Sequence, residues 1–288
     1  MTAAGQTSLP AVGPAQSKAG PGGRVGLPVA VIAAILAVFL GLPVVTLLAR
    51  AILEGALPEV AGSRAVVSAL ALSLGTTAVS LFLTVLVGLP LAYVLARRRF
   101  AGQWLLETIV DLPIVLPPAV AGLALLLVFG RRGVLGDGLQ AGGIDIAFTT
   151  TAVILAQTFV SAPFFVRSAR AGIAAVDRDL EDAARVDGAS EARLFLAVTA
   201  PLAGPALAAG LVMTWARALG EFGATIMFAG NVLGRTQTLP LVVYSEFQGG
   251  DLDGSIAAAA ILVVAALGVL VTVRAFRWGR VLDVRTIA

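Results

Sequence analysis

Arg217 and Glu221 are the only charged residues inside the apolar segment from Leu202 to Ala229 of this 288-residue sequence. Because they are four residues apart, a helix would place them on one face, where they could form an ion pair. A single charge inside a membrane is costly, whereas an ion pair facing the interior of a helix bundle is tolerated. Two interpretations remain open: the pair is purely structural, or one member lines or gates a pathway for an anion.

Histidine and cysteine are both absent from the sequence. It therefore has no disulfide, thiol nucleophile, imidazole base or His/Cys zinc site. An aspartyl mechanism inside a membrane would need two acids, and Glu221 is alone in its segment. The sequence also lacks a Gly-x-x-x-x-Gly-Lys-Ser/Thr phosphate-binding loop. We therefore expect a non-catalytic chain with no cofactor of its own.

The composition indicates that this chain is a membrane protein. Hydrophobic residues are 58% of the sequence and charged residues 13%, and the mean hydropathy is +0.96. A soluble domain is about 45–50% apolar and about 25% charged. The composition excludes a soluble enzyme, and the net charge of +3 is too small to indicate a nucleic-acid partner.

The sequence contains six long apolar segments, one of which includes Arg217 and Glu221. They predict an all-α polytopic membrane protein. Their continuity favours helices, because a β-barrel needs shorter segments of alternating polarity. The predicted spans are 27–49, 65–96, 112–129, 146–166, 202–229 and 255–273. Gly88 and Pro90 are expected bend points in the second span. The apolar run Leu239–Tyr244 is too short to span, and we expect an external loop or a re-entrant segment.

The distribution of basic residues predicts that both termini are cytoplasmic. With that orientation, 14 Lys and Arg lie in cytoplasmic segments and 5 in external ones, as the positive-inside rule requires. The predicted organisation is a disordered cytoplasmic tail, a first span with an external loop, a transmembrane domain and a second cytoplasmic tail, at 1–26, 27–64, 65–276 and 277–288.

The most charged stretch of the chain, residues 167–193, would then be a cytoplasmic loop. Asp177 could cap one short helix, Gly188 could end it, and Ser190 could cap the next. This pattern predicts a helix–turn–helix at the membrane surface. It could be a solvated connector, which is the commoner meaning of a charge run, or a docking element for a soluble partner.

The residues of this loop favour docking, because they resemble the EAA loop of ABC importer permeases. That pattern is Glu-Ala-Ala, three residues, Gly, and later Leu-Pro. Ala183, Ala184 and Gly188 match it, Asp182 replaces the Glu with Glu181 just before it, and Ala200 replaces the Leu before Pro201. The resemblance implies that residues of about 170–200 form a coupling helix seated in a groove of a cytoplasmic ATPase subunit.

Two further segments resemble the molybdate permeases within that family, and more distantly the sulfate/thiosulfate permeases. They are Asp111–Gly122 and Arg217–Leu241, within a resemblance that covers about residues 65–275. The resemblance implies a homodimer in a bacterial inner membrane, two ATPase subunits that hold ATP and Mg, and an extracytoplasmic binding protein that delivers molybdate, or tungstate, for import by alternating access. A sulfate permease is the nearest alternative. A self-sufficient secondary transporter would leave the loop unexplained.

Two other features, a proline pair and a set of small polar residues, each allow two interpretations. Pro117 and Pro118 break a helix ladder, so they mark either a packed kink or a position beside a translocation path. The small polar residues of the second span follow helical spacing, and they serve either close helix packing, which we prefer, or a hydrated lining for an oxyanion. These residues are Ser73, Thr76, Thr77, Ser80 and Thr84.

Overall fold

The computed structural model describes residues 27–53, 55 and 57–285, without the side chains of residues 59 and 272–285. The predicted tail at 1–26 lies outside the described residues. Within these ranges the regular elements are all helical, which confirms the predicted fold class. In chain order they are α1 (Leu27–Leu53), α2 (Leu57–Gly62), α3 (Arg64–Arg97), α4 (Gln103–Val115), α5 (Pro118–Phe129), α6 (Gly136–Ala141), α7 (Thr150–Ala174), α8 (Arg178–Val186), α9 (Glu191–Leu194), a π-helical turn (Phe195–Thr199), α10 (Ala200–Leu219), α11 (Gly223–Phe228), α12 (Leu239–Gly249) and α13 (Leu252–Arg285).

Five helical segments of the described chain are long and apolar enough to cross a membrane. They are α1, α3, α7, the segment Glu191–Leu219, and α13 up to Val271. Helices α4 and α5 together make a sixth candidate, although the chain bends by 118° between them. The described residues divide into two compact units between Thr46 and Leu47, so most of α1 belongs to the first unit.

The centre of the second unit is the packing of α3, α7 and α10. Ala92, Phe165, Ala169 and Ala203 are buried in one cluster that joins these three helices. Small residues allow helices to approach closely in a bilayer, where burial of apolar surface supplies little net driving force. This packing places the start of α10 against the cytoplasmic ends of α3 and α7 in the predicted orientation.

The small polar residues of the second predicted span lie on α3, and their side chains are all buried. They are Ser73, Thr76, Thr77, Ser80 and Thr84. Ser73 Oγ accepts a hydrogen bond from the Leu239 amide at 2.7 Å, Thr77 Oγ1 accepts one from Gln157 Nε2 at 3.3 Å, and Thr158 Oγ1 donates to Ser80 Oγ at 3.0 Å. These contacts favour the helix-packing interpretation.

Several helices extend beyond the predicted apolar segments. Helix α4 begins at Gln103, nine residues before the predicted span, and Arg167 and Arg170 of α7 pair with its acids Asp111 and Glu107 at 2.9 and 2.8 Å. Helix α3 runs unbroken through Pro90. The part of α13 that can cross a membrane, Leu252–Val271, agrees with the predicted span 255–273, and the helix backbone continues to Arg285.

The short apolar run after the fifth predicted span is a helix of its own. Helix α12 is too short to cross a membrane, as expected, and it packs against α3 and α13. Leu239, Leu241 and Val242 are fully buried. The run is therefore part of the core of the second unit, and an exposed external loop was the wrong alternative.

Candidate functional site

The charged loop forms the predicted helix–turn–helix. Asp177 caps α8 by accepting a hydrogen bond from the Asp179 amide at 3.0 Å, and Ser190 caps α9 by accepting one from the Arg193 amide at 3.4 Å. Gly188 has a φ of +82°, a conformation that costs glycine least. All three residues predicted to set the helix ends therefore do so.

Helix α8 is exposed along nearly its whole surface. Leu180, Ala183 and Val186 follow one another at a spacing of three residues and are all exposed, so they form an apolar stripe on a helix outside the spans. Asp182 is also exposed, whereas Ala184 is half-buried. An apolar stripe among charges on an exposed helix is typical of a surface that another protein covers.

Arg185 joins the two halves of this loop. Its guanidinium contacts Asp182 Oδ1 at 2.7 Å and Glu191 Oε1 at 2.9 Å, so it bridges α8 to the first residue of α9. Hydrogen bonds from Arg185 to Glu191 and to Asp182 raise the pKa of the guanidinium above its ordinary value. The same contact lowers the pKa of the Glu191 carboxyl, so the bridge between α8 and α9 joins two charged groups.

Glu181 occupies a different position from its neighbour Asp182. It is the buried residue of α8, 2% exposed. Its Oε1 accepts a hydrogen bond from Arg97 at 2.8 Å and one from the Thr199 hydroxyl at 2.6 Å. Sequence reasoning missed Arg97 and Thr199 as partners, because they lie 84 and 18 residues away from Glu181 and no local pattern links them.

Pro201 lies where the loop returns to the long helix α10. It follows the π-helical turn, in which the Ala200 amide bonds to the Phe195 carbonyl rather than to the carbonyl four residues back. Proline has no amide hydrogen and its ring crowds the carbonyl four residues before it, so the chain locally adopts the wider turn. The six predicted loop residues thus lie along one continuous stretch of chain from α8 to the start of α10.

The second group of predicted residues lies at the far end of α10. Arg217 is sixteen residues beyond Pro201, about 24 Å along the helix. Helix α10 ends at Leu219, so the prediction of an unbroken span to Ala229 was wrong, and Glu221 lies in the break before α11. The break allows the Glu221 carboxylate to cap the next helix, because its Oε1 accepts a hydrogen bond from the Ala224 amide at 2.7 Å.

Arg217 and Glu221 form an ion pair across this helix end. Arg217 Nη1 lies 2.6 Å from Glu221 Oε2, and the two side chains are 29% and 1% exposed. Glu221 is therefore fully inside the protein, whereas the Arg217 side chain is partly exposed at the surface of the single chain. A charged group on a membrane helix is costly against lipid tails and normally faces water or protein.

Pro117 and Pro118 adjoin the same break. They form the bend between α4 and α5, and α5 packs directly on α11. A Cβ added at Gly223 would lie 2.8 Å from Pro118 Cβ, and one added at Gly122 would lie 2.6 Å from the Ala224 carbonyl oxygen. The structure thus brings the bend after α4 together with the break that holds Glu221.

The sequence of this chain is similar to those of known membrane transport proteins. The family described as "binding-protein-dependent transport system inner membrane component" matches residues 88–283. The molybdenum transport system permease protein ModB of Mycobacterium tuberculosis is 46% identical over 208 residues, which are 72% of this chain and 78% of that protein.

A sulfate permease and a solved transporter extend the comparison. The sulfate transport system permease protein CysW of Synechocystis is 34% identical over 80% of this chain and 84% of its own length. A chain of a bacterial ABC transporter involved in alginate import has the same fold, with a TM-score of 0.68 at 19% identity over 87% of this chain and 92% of that one.

Proposed function

Because the chain belongs to the family of inner membrane components of binding-protein-dependent transport systems, we propose that it is the subunit through which molybdate crosses into the cytoplasm. It is a multi-pass permease of a bacterial inner membrane. The proposal extends this to substrate and mechanism. It rests on the similarity to molybdenum permeases and on the two sites at the ends of α10.

The observation that carries the proposal is the exposed apolar stripe Leu180, Ala183 and Val186 on α8. Outside a bilayer, such a stripe is stable when a partner covers it. The partner in this proposal is a cytoplasmic ATPase subunit, which binds ATP and Mg and seats α8 in a groove. The exposed Asp182 and the turn at Gly188 shape that contact, and both termini lie on the same cytoplasmic side.

The subunit itself moves helices and performs no bond chemistry. Two copies form the membrane unit, two ATPase subunits bind below it, and an external binding protein delivers the oxyanion. The path passes the Pro117–Pro118 bend and the break at Glu221. There the partly exposed Arg217 offers a guanidinium to an anion, and Glu221 holds it in place. Closure of the ATPase dimer exposes the path to one side and then the other.

Val186→Glu is expected to release the ATPase subunits, because it places a charge at an exposed position of the apolar docking stripe. We expect the amount of ATPase that co-purifies with the detergent-solubilised permease to fall about tenfold, which corresponds to about 1.4 kcal/mol of binding free energy. Val134→Glu is the matched control, since Val134 and Val186 are both 87% exposed and Val134 lies on the opposite side of the membrane in this orientation. Unchanged ATPase recovery with Val186→Glu would contradict the docking proposal.

Competition between oxyanions tests the substrate. In proteoliposomes that contain the assembled importer and its binding protein, we expect unlabelled molybdate and tungstate to suppress uptake of labelled molybdate, and sulfate to leave it unchanged. The higher identity to the molybdenum permease, 46% against 34% for the sulfate permease, supports this order. Uptake of labelled sulfate without uptake of labelled molybdate would make the chain a sulfate permease.

A further inference from the structure

Glu181 is the point at which the exposed helix α8 is fastened to the membrane helices. Of all α8 residues it is the buried one, and its carboxylate contacts two other elements, Arg97 at the end of α3 and Thr199 in the turn that leads into α10. We propose that Glu181 is a positioning residue that transmits displacement of α8 into α3 and α10, rather than a contact to the ATPase. This inference rests on the proposed function.

The other polar contacts of α8 are exposed to solvent. The ion pairs of Arg185 go to Asp182 on the same helix and to Glu191 just after the turn, and Glu191 reaches α3 through an exposed hydrogen bond of 3.4 Å from the Tyr93 hydroxyl. The turn itself contains Gly188, the most permissive residue for backbone rotation. The shorter and buried contacts of Glu181 are therefore the most direct route by which a pull on α8 reaches the spans.

The chemistry of these contacts suits a mechanical link. A buried carboxylate that accepts hydrogen bonds from a guanidinium and a hydroxyl makes short, strong and directional contacts, because water does not compete for them. Arg97 also donates to the Val176 carbonyl at 3.2 Å, which holds the chain just before α8. Glu181 is thus fixed from two sides at 2.8 and 2.6 Å.

The two partners lead to the helices that the proposed mechanism must move. Arg97 is the last residue of α3, which packs along α7. Thr199 closes the π-helical turn before α10, and α10 ends two residues after Arg217. Single π-helical turns of this kind are frequent at functional sites. Movement at Glu181 would therefore reach the ion pair at the far end of α10.

Removal of the Thr199 hydroxyl tests this link while leaving the Glu181–Arg97 pair in place. In importers assembled from the full chain, the ATPase subunits and the binding protein, we expect Thr199→Val to lower molybdate uptake per ATP hydrolysed about tenfold, as for removal of one hydrogen bond to a charged group. The ATPase subunits should still co-purify and hydrolyse ATP. Thr199→Ser, which restores the hydroxyl, should restore the ratio.

Ser168→Ala is the matched control, because it removes a hydrogen bond of similar length, 2.7 Å, from Ser168 of α7 to the Ala206 carbonyl of α10. It should leave the uptake-to-hydrolysis ratio unchanged. An equal drop in both variants, or loss of the ATPase subunits with Thr199→Val, would overturn the inference. Should Thr199→Val not fold, Glu181→Gln, which keeps an acceptor oxygen and removes the charge, must lower the same ratio or the inference fails.

The wild-type complex separates failure of this inference from failure of the proposed function. If the unmodified chain neither retains ATPase subunits nor imports molybdate, the proposed function is wrong. If it does both and Thr199→Val imports with an unchanged ratio, the link through Glu181 alone is wrong.

Discussion

Glu221→Ala should destabilise the segment that joins α10 to α11 and abolish transport. The substitution leaves Arg217 without its partner and the Ala224 amide without an acceptor, both of which the carboxylate supplies at 2.6 and 2.7 Å. Breaking a buried ion pair by removing one partner costs about 3–5 kcal/mol. We expect the free energy of unfolding in detergent to fall by that amount, and thermal unfolding followed by tryptophan fluorescence would measure the loss.

The double variant Arg217→Gln/Glu221→Gln separates the two interpretations of the pair. Replacing both charges by neutral groups is often tolerated, so the stability should return to within about 1–2 kcal/mol of the unmodified protein. Uptake should remain low, because the path has no guanidinium at position 217. Full recovery of both stability and uptake would show that the pair is structural. Asp145→Ala is the control, since the Arg131–Asp145 pair is 75% and 51% exposed and such pairs contribute about 0–1 kcal/mol.

Gly122→Ala should force α5 away from α11. The added Cβ would lie 2.6 Å from the Ala224 carbonyl oxygen and 2.8 Å from both Ala224 Cα and Met227 Cβ, and the first two atoms are backbone and cannot turn aside. Overpacking of this kind costs about 1–3 kcal/mol. Because this contact holds the Pro117–Pro118 bend against the break at Glu221, we expect lower thermal stability and a large loss of uptake.

Gly75→Ala is the matched control for this overpacking. Gly75 lies within α3 and nothing stands within 4 Å of a Cβ added there. Alanine is the better helix former by about 1 kcal/mol, so this variant should keep or raise stability and transport normally. Equal behaviour of the two variants would show that the contact between α5 and α11 is loose enough to yield.

The charged loop was predictable because its structure is local. Asp177, Gly188 and Ser190 set helix ends through contacts within three residues, and such contacts can be read from sequence spacing. Long-range partners leave no such spacing. The segment around Arg97 was read only as a basic anchor, since its pairing with Glu181 depends on how α3 and α8 meet.

The apolar segments behaved differently at their breaks. Leu202–Ala229 reads as one span because its hydropathy is continuous, yet α10 ends at Leu219 and Glu221 caps a second helix. The prolines at 117 and 118 predicted a break, but its angle of 118° depends on the packing of α5 against α11. Hydropathy indicates whether a segment prefers lipid or water. It does not indicate which helix packs beside a break.

The sequence by itself determined that this chain is a helical membrane protein and where its scarce charges stand along the chain, because composition and short-range spacing act without reference to the rest of the fold. Only the tertiary structure decided what those charges do. It buried Glu181 between Arg97 and Thr199, left Asp182 exposed, and set Glu221 at the start of α11, whose Gly223 lies against Pro118. The physical reason is that burial and pairing depend on neighbours in space, and adjacent residues such as Glu181 and Asp182 look alike until a helix turns one inward.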